Sequence, residues 1–436
     1  MDGSSRLSRR GSANRRRGVA ADEVRRHNLA AVLDRLHLSG SVSRSELAER
    51  TGLNRSTIGD LISELSDLGL VEEGPGEANS KPGRPSPVAR PRPEGAVALA
   101  VEITVDSVAV STAGLGGRIY NEVRVARPRA RFTPQETIED VAKLAAPLLA
   151  SLPDKHNLAG VGFAVAGLVR RSDGFVHLAP NLGWRNVPLG AMAATALGLD
   201  RVMMANEADL GALGEYRRGA ASTVGHLIYV AGEVGIGIGI IQNGAPMLGS
   251  AGYAGEAGHT MVNPGGRRCR CGASGCWETE AGEEALARLA GMPEGIVGQA
   301  LLDELMTRAD QGDTNTLRAL DDVGRWLGLG IGNLINTLNP DMVVVGGIYS
   351  DLFPHMEEAV RKGTAESALE APAGMADIRR GELGLSAPLI GAAELVLSEL
   401  IANPAAFSGV EPSIGKEAEK GGGPDSSAPL VSEDLS

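Results

Sequence analysis

Four residues of metal-binding type crowd into 18 positions: His259, Cys269, Cys271 and Cys276, in GHTMVNPGGRRCRCGASGCWE. These are the only 3 cysteines of the chain, and an odd count cannot form a complete set of disulfides. Glycines between them permit tight turns, and the spacing matches a tetrahedral Cys3His zinc site with one ion per chain. Such a site leaves no open coordination position, so the expected zinc is structural and closes the loop on itself. The alternative is three ordinary buried cysteines and a chance histidine, for which Gly/Arg-rich flanks are poor core sequence. Clustered thiols in a cytosolic chain point to metal rather than to oxidation.

A length of 436 residues allows about three folded units. Hydrophobic residues at 43% and charged residues at 22% are ordinary globular usage, which excludes wholesale disorder and fibrous architectures. Aromatics are only 3%, so Val, Leu, Ile and Ala must build the core. No apolar run is expected to reach the roughly 18 residues of a membrane span, and the Arg-rich start lacks an apolar signal region. A cytoplasmic protein with no membrane partner is therefore expected.

The net charge of −12 is unevenly spread. Residues 1–92 hold 16 Lys/Arg against 12 Asp/Glu, and the remainder holds 26 against 42. A basic start joined to an acidic body hints at a nucleic-acid-binding segment attached to something else. Residues 1–21, with Arg6, Arg9, Arg10, Arg15, Arg16 and Arg17, read as a disordered arm that is either simply solvated or contacts phosphates.

Residues 22–90 read as a winged helix-turn-helix. Leu29, Val32, Leu33 and Leu36 repeat with helical period, and Ser43 with Glu46 forms a capping box for a second helix. Thr51-Gly52-Leu53 is a tight turn, and Asn54 or Ser56 caps a third helix through Ile58, Leu61, Ile62, Leu65 and Leu68. The N-terminal side chains of that helix would enter the major groove of double-stranded operator DNA, making Arg44, Asn54, Arg55, Ser56 and Thr57 the candidate contacts. Asn79 to Pro85 would form the wing tip, whose Lys81 and Arg84 suit a minor groove unless the segment is only a charged linker.

From residue 95 to 403 strand-like runs alternate with helical ones, which argues α/β architecture. The strands are Val97 to Val101 and Val108 to Val110, expected to join across Gly114-Leu115-Gly116-Gly117, then Gly160 to Val165, Val202 to Ala205, His226 to Ala231 and Met342 to Val345. One long helix runs from Leu317 to Leu338 and stops before Pro340. Residues 404–436, rich in Gly, Ser, Pro and Glu, read as a disordered tail.

With its zinc motif, its Glu256-Ala257-Gly258-His259 stretch and NEADLGALGE, the chain resembles the repressor, open-reading-frame and kinase (ROK) family from the helix-turn-helix to about Leu400. That resemblance implies a two-lobed actin-like ATPase (ribonuclease H-like) domain with a monosaccharide or sugar phosphate in the cleft. It implies sugar contacts from Asn181, Asn206, Glu207, Glu256, His259 and Glu278, with His259 also on the zinc, and a homodimer or homotetramer. Carboxylates, amides and imidazole converging in a cleft suit vicinal hydroxyls, each of which donates and accepts.

Kinase chemistry is where the chain departs from the family pattern. The kinases' D-x-G-G-T phosphate loop reads Glu102-Ile103-Thr104-Val105-Asp106, and their second phosphate motif reads Glu233-Val234-Gly235-Ile236-Gly237-Ile238-Gly239. Side chains and negative charge stand where backbone N–H groups must approach phosphate, and the general-base Asp is replaced by Glu207. The Gly-Ile alternation reads better as a tightly packed strand than as a nucleotide loop. A sugar-responsive, catalytically inactive repressor is therefore expected; the other readings are an active sugar kinase with an added DNA-binding unit, and a constitutive DNA-binding protein with a vestigial pocket.

Overall fold

The computed structural model describes residues 5–75, 87–129, 132–152 and 157–407, with side chains from residue 22 onward. Its first helix, α1 (Ser5–Ser39), continues through the segment expected to be a disordered arm. That stretch has no proline to break a helix, and its Arg, Ala and Leu residues favour one although Gly11 and Gly18 do not. Leu29, Val32, Leu33 and Leu36 are fully buried along it. After β1 (Val42–Ser43), the Ser43 hydroxyl accepts the Glu46 N–H and opens α2 (Arg44–Thr51), which Gly52 ends in the left-handed conformation. Asn54 caps α3 (Arg55–Asp67), accepting the Thr57 N–H at 2.9 Å. Two wing strands, β2 (Val71–Gly74) and β3 (Val88–Pro91), complete a sheet of order β1-β3-β2. The wing tip with Lys81 and Arg84 lies outside the described residues.

The wing runs on through a turn at Pro93–Gly95 rather than a loose linker. A side chain at Gly95 would sit 2.3 Å from the Gly69 carbonyl oxygen. The core of the winged helix is continuous with that of the next layer, from Leu29 and Leu36 to Leu389 and Leu397.

The first lobe is a five-stranded sheet of order β11-β7-β4-β5-β6. It is built from β4 (Val97–Ile103), β5 (Ser107–Gly114), β6 (Arg118–Ala126), β7 (Leu158–Val165) and β11 (Val202–Asn206), with α4 (Pro134–Ala150) and α5 (Leu189–Leu197) packed against it. The glycine-rich turn at residues 114–117 joins β5 to β6; β4 reaches β5 through Thr104–Asp106 instead. A small sheet of β8 (Leu168–Arg170), β9 (Phe175–Ala179) and β10 (Trp184–Val187) overhangs the strand ends.

The chain then crosses by α6 (Glu207–Arg218) into a second five-stranded sheet of order β14-β13-β12-β15-β16. Its strands are β12 (Leu227–Gly232), β13 (Ile236–Gln242), β14 (Ala245–Pro246), β15 (Met342–Gly347) and β16 (Asp377–Arg380). The helices are α7 (Trp277–Ala281), α8 (Glu283–Leu289), α9 (Gly298–Asp310), α10 (Thr314–Leu338), α11 (Ile348–Ser367) and α12 (Glu370–Met375). The Gly-Ile alternation is the strand β13.

The chain returns by α13 (Ala387–Ala402) to the first lobe. The stretch Gly384–Ala402 is, contrary to the sequence reading, long and apolar enough to cross a membrane, with mean hydropathy 1.6. Its apolarity serves a packing role, since it is 67% buried between α6 and the first sheet. Order also extends past residue 404, where a turn at Pro404–Ala406 buries Pro404 and Phe407 packs on the core; residues 408–436 lie outside the described residues.

The pair α6 and α13 is therefore sandwiched between the two sheets, and glycine sets how closely they meet. A β-carbon at Gly391 would fall 1.8 Å from the Leu210 carbonyl oxygen. Gly391→Val forces α13 off α6, which costs about 1–3 kcal/mol as overpacking. A clear fall in the denaturant unfolding midpoint is expected; an unchanged midpoint would show that the helices can separate freely.

Candidate functional site

Between the lobes lies a cavity of about 620 Å3. Asn181, Asn206, Glu207, Glu256, His259 and Glu278 all line it, brought there from four separate segments. The segments are fixed locally. Asn206 ends β11 and caps α6, its Oδ1 accepting the Ala208 N–H at 2.7 Å while its Nδ2 donates to the Gly167 carbonyl at 3.0 Å. Its side chain thus first holds the strand-to-helix corner that presents Glu207. Asn181 accepts from Arg270 at 2.9 Å, tying its loop to the cysteine loop. Trp277 is fully buried and donates to the Trp326 carbonyl at 2.9 Å, which anchors the neighbouring Glu278.

The sulfur and nitrogen atoms of His259, Cys269, Cys271 and Cys276 lie within 4.8 Å of one another and could hold a metal ion. The His259 Nδ1 stands 3.7 Å from the Cys269 sulfur, and the Cys271 and Cys276 sulfurs are 3.6 Å apart. The Nε2 side of the ring faces Glu256 at 3.9 Å. One imidazole can therefore serve the sulfur cluster with one nitrogen and the cavity with the other. Glu278 borders both, accepting from the Cys269 thiol at 2.9 Å. Three thiols and an imidazole are the donor set of a closed tetrahedral site.

Sequence reasoning missed how acidic the cavity floor is. Glu207 and Glu233 stand beside each other, each half-buried as a residue, with the Glu207 Oε2 fully covered. Burial first, then the charges of Glu102 and Asp106, pushes the Glu207 carboxyl up to about 8, and burial with Glu207 beside it raises Glu233 well above the usual carboxylate range. Asp209 also lines the floor, and burial raises it to about 7 against the pull of Arg171. No sequence signal marks a carboxylate that folding will bury. The turn after β4 is filled from within: Thr104 donates to Asp106 at 3.0 Å, Asp106 pairs with Arg129 at 3.1 Å, and Arg124 donates to Glu102 at 2.6 Å. Gly347, at φ 60°, serves the turn from β15 into α11.

On the winged helix, Arg55 and Ser56 are exposed at the start of α3, with Thr57 half-buried. Asn54 is committed to capping, and Arg44 donates its Nε to Glu73 of the wing at 2.5 Å, so both have structural partners.

A second constellation was also invisible in the sequence. Glu394 of α13, 2% exposed, accepts from His37 of α1 at 2.9 Å, from Arg217 at 3.3 Å and from Arg218 at 2.5 Å. Arg217 also reaches Asp34 of α1 at 2.7 Å, and Arg218 reaches the His37 carbonyl at 2.9 Å. The Gly116 N–H donates to His37 Nδ1 at 3.0 Å, which leaves the ring proton on Nε2 for Glu394. Although burial opposes its charge, His37 and the two guanidiniums hold the Glu394 carboxyl down at about 2.

Two sheets flanking a ligand-sized cleft, with a cysteine loop on its rim, define an actin-like ATPase domain. The chain belongs to the ROK family, whose model matches residues 98–399. It is 27% identical over 379 residues to a xylose repressor of Bacillus spizizenii, covering 87% of this chain and 97% of that one. A glucokinase of Halalkalibacterium halodurans is 34% identical over 255 residues, 56% of this chain and 77% of the enzyme. In fold, the crystal structure of a ROK family transcriptional regulator, a homologue of the E. coli MLC protein, superposes with a TM-score of 0.71 at 23% identity, over 87% of this chain and 97% of that one.

Because the four ligand-type residues lie on one short loop, Cys271→Ser should abolish metal retention while the winged helix keeps its fold. Elemental analysis of the parent and variant, with circular dichroism as the folding control, checks this; metal content equal in both would remove Cys271 from the site.

Proposed function

We propose that the chain is a DNA-binding transcriptional repressor of carbohydrate-utilisation genes, in which a sugar in the interlobe cleft controls operator affinity. The observation that carries this reading is the course of α6. Its N-terminus presents Asn206 and Glu207 to the cavity. Its C-terminal Arg217 and Arg218 grip α1 of the winged helix. Twelve residues, about 18 Å of rigid helix, connect the two sites. A sugar that prefers one lobe arrangement must then bias the position of the DNA-binding unit through differential affinity.

In this reading Asn54, Arg55, Ser56 and Thr57, with Arg44, Lys81 and Arg84, face operator DNA, and Asn181, Asn206, Glu207, Glu256, His259 and Glu278 face the sugar. The metal is a structural zinc held by His259, Cys269, Cys271 and Cys276. When bound it would fix the loop carrying Glu256 and His259. Relatives named as xylose repressors make an aldopentose the first ligand to try. A cytoplasmic dimer or tetramer on a pseudo-palindromic operator fits a helix-turn-helix protein.

The domain is proposed to be catalytically inactive, because phosphoryl transfer depends on positioning and charge stabilisation that Glu102, Asp106 and Glu233 oppose. Sugar-dependent ATP hydrolysis should stay at background; a coupled assay giving about 1 s⁻¹ or more, the low end of ordinary enzymes, would refute inactivity.

Coupling of about 1–3 kcal/mol should weaken operator binding roughly 5- to 150-fold at saturating sugar. Arg217→Gln should lower the unfolding midpoint and reduce that release several-fold, read as the ratio of operator affinities with and without sugar by fluorescence anisotropy of labelled operator on the folded variant. Full release in the variant would show that α6 is not the route.

A further inference from the structure

The two lobes are bridged by side chains at a place outside the candidate sugar contacts. Arg129 follows β6 in the first lobe, and Glu283 opens α8 in the second. Glu283 is 3% exposed; its Oε1 accepts from Arg129 Nη2 at 3.1 Å, and its Oε2 stands 2.9 Å from the same nitrogen. That nitrogen also donates to Asp106, in the turn between β4 and β5, at 3.1 Å. Glu283 further accepts the N–H of Gly298, the first residue of α9. Gly298 is held at φ 59°, and a β-carbon there would fall 2.2 Å from Asp106 Oδ2, so the turn of one lobe rests directly on the start of α9 in the other. One guanidinium thus ties a turn of the first lobe to two helices of the second.

Position and burial decide what such a bridge does. Val105, in the middle of the same turn, lines the cavity, so the bridge begins one residue from the cavity wall. Asn181 and Arg270 also meet across the cleft, but Arg270 is exposed and shared with the exposed Glu284, and pairs of that kind are worth little. Parting the lobes at Arg129 breaks a pair whose carboxylate is buried, which is far more costly. We propose that Arg129, Asp106 and Glu283 form an interlobe latch that holds the cavity in its sugar-binding arrangement and so sets the sugar concentration at which operator is released. The latch rests on the sugar reading above and regulates that same site. With it made, the arrangement in which the candidate contacts converge is well populated. Without it the sugar must itself supply the free energy of closure, and its apparent affinity falls with the fraction left competent.

A latch and a transmission route leave different signatures. Weakening the latch moves the sugar concentration at half-release and keeps the extent of release, because saturating sugar restores the same end state; cutting the route at Arg217 reduces the extent. Chemistry at Arg129 supplies a second discriminator. It is Nη2 that reaches both carboxylates, while the buried Nε has no hydrogen-bond partner among the described residues. A lysine ammonium, a compact charge with three donors, can therefore stand in for the guanidinium here.

The test uses the full-length, metal-containing protein, titrated calorimetrically with D-xylose, D-glucose, D-fructose, D-mannose, D-galactose and N-acetyl-D-glucosamine, with operator release by the sugar that binds followed by fluorescence anisotropy. Glu283→Gln keeps the shape and the acceptor for Gly298 but removes the charge, and Arg129→Gln removes the cation. Each should raise the sugar Kd and the half-release concentration about tenfold, with the extent of release as in the parent. The double variant should lose no more than either single one, since both cut the same bridge. Arg129→Lys should recover most of the loss, which a merely structural role for the guanidinium would not predict. Unfolding midpoints show which variants are folded; should Arg129→Gln not fold, Glu283→Gln and Arg129→Lys carry the test. An unchanged sugar Kd in folded Glu283→Gln overturns the latch and leaves the sugar reading standing. So does a reduced extent of release at unchanged sugar affinity, which would place Glu283 on the transmission route instead. A parent protein that binds none of the six sugars brings down the sugar reading, and this inference with it.

Discussion

A carboxylate buried between three helices is the interaction on which the arrangement depends. Glu394 sits in α13 with 2% of its surface exposed, and an unpaired charge there would be strongly unfavourable. It is balanced by Arg217 and Arg218 at the end of α6 and by the Nε2–H of His37 in α1. Breaking any partner away leaves buried charge uncompensated, so the three helices are obliged to meet at this point. The winged helix consequently rests on the two-lobed body as part of a continuous core, not as a unit on a tether.

The same helix, α6, begins at the cleft. Asn206 spends its side-chain hydrogen bonds on the corner between β11 and α6, and this fixes the direction in which Glu207 points. Close glycine contacts at Gly391 and Gly239 hold α6 against α13 on one side and β13 on the other. A helix packed this tightly on both faces moves as a body, so a change in lobe separation at its start is felt at its end.

Acidic side chains gather where β4 and β12 end. The turn after β4 is closed by Thr104 on Asp106, and Glu233 follows β12 at the cavity. Glu207, Asp209 and Glu233 line the cavity together with Arg185 and Arg270. Across the cleft, the cysteine loop contributes Glu256 and His259, and the two nitrogens of His259 face different tasks.

Local patterns determined a good deal. The period of Leu29 to Leu36, the Ser43 and Asn54 caps, the β-runs and the long helix before Pro340 each follow from short-range rules, and each is present. The cysteine spacing likewise announced a convergent set, because its members lie within one loop. Short-range rules failed where distant segments decide. The turn at Gly114–Gly117 joins different strands from those expected, since a turn does not name its partners. Residues 5–21 are helical, because a charged, proline-free run is compatible with either state. The apolarity of Gly384–Ala402 came to serve burial between α6 and a sheet, which composition alone does not distinguish from a membrane span. The Glu394 clasp joins residues up to 357 positions apart, and the Glu207–Glu233 pair exists only once two lobes face each other. Sequence by itself therefore determined the elements and the metal-type loop, whereas tertiary structure alone decided which charges are buried together, because desolvation is a property of the assembled interior and not of any single residue.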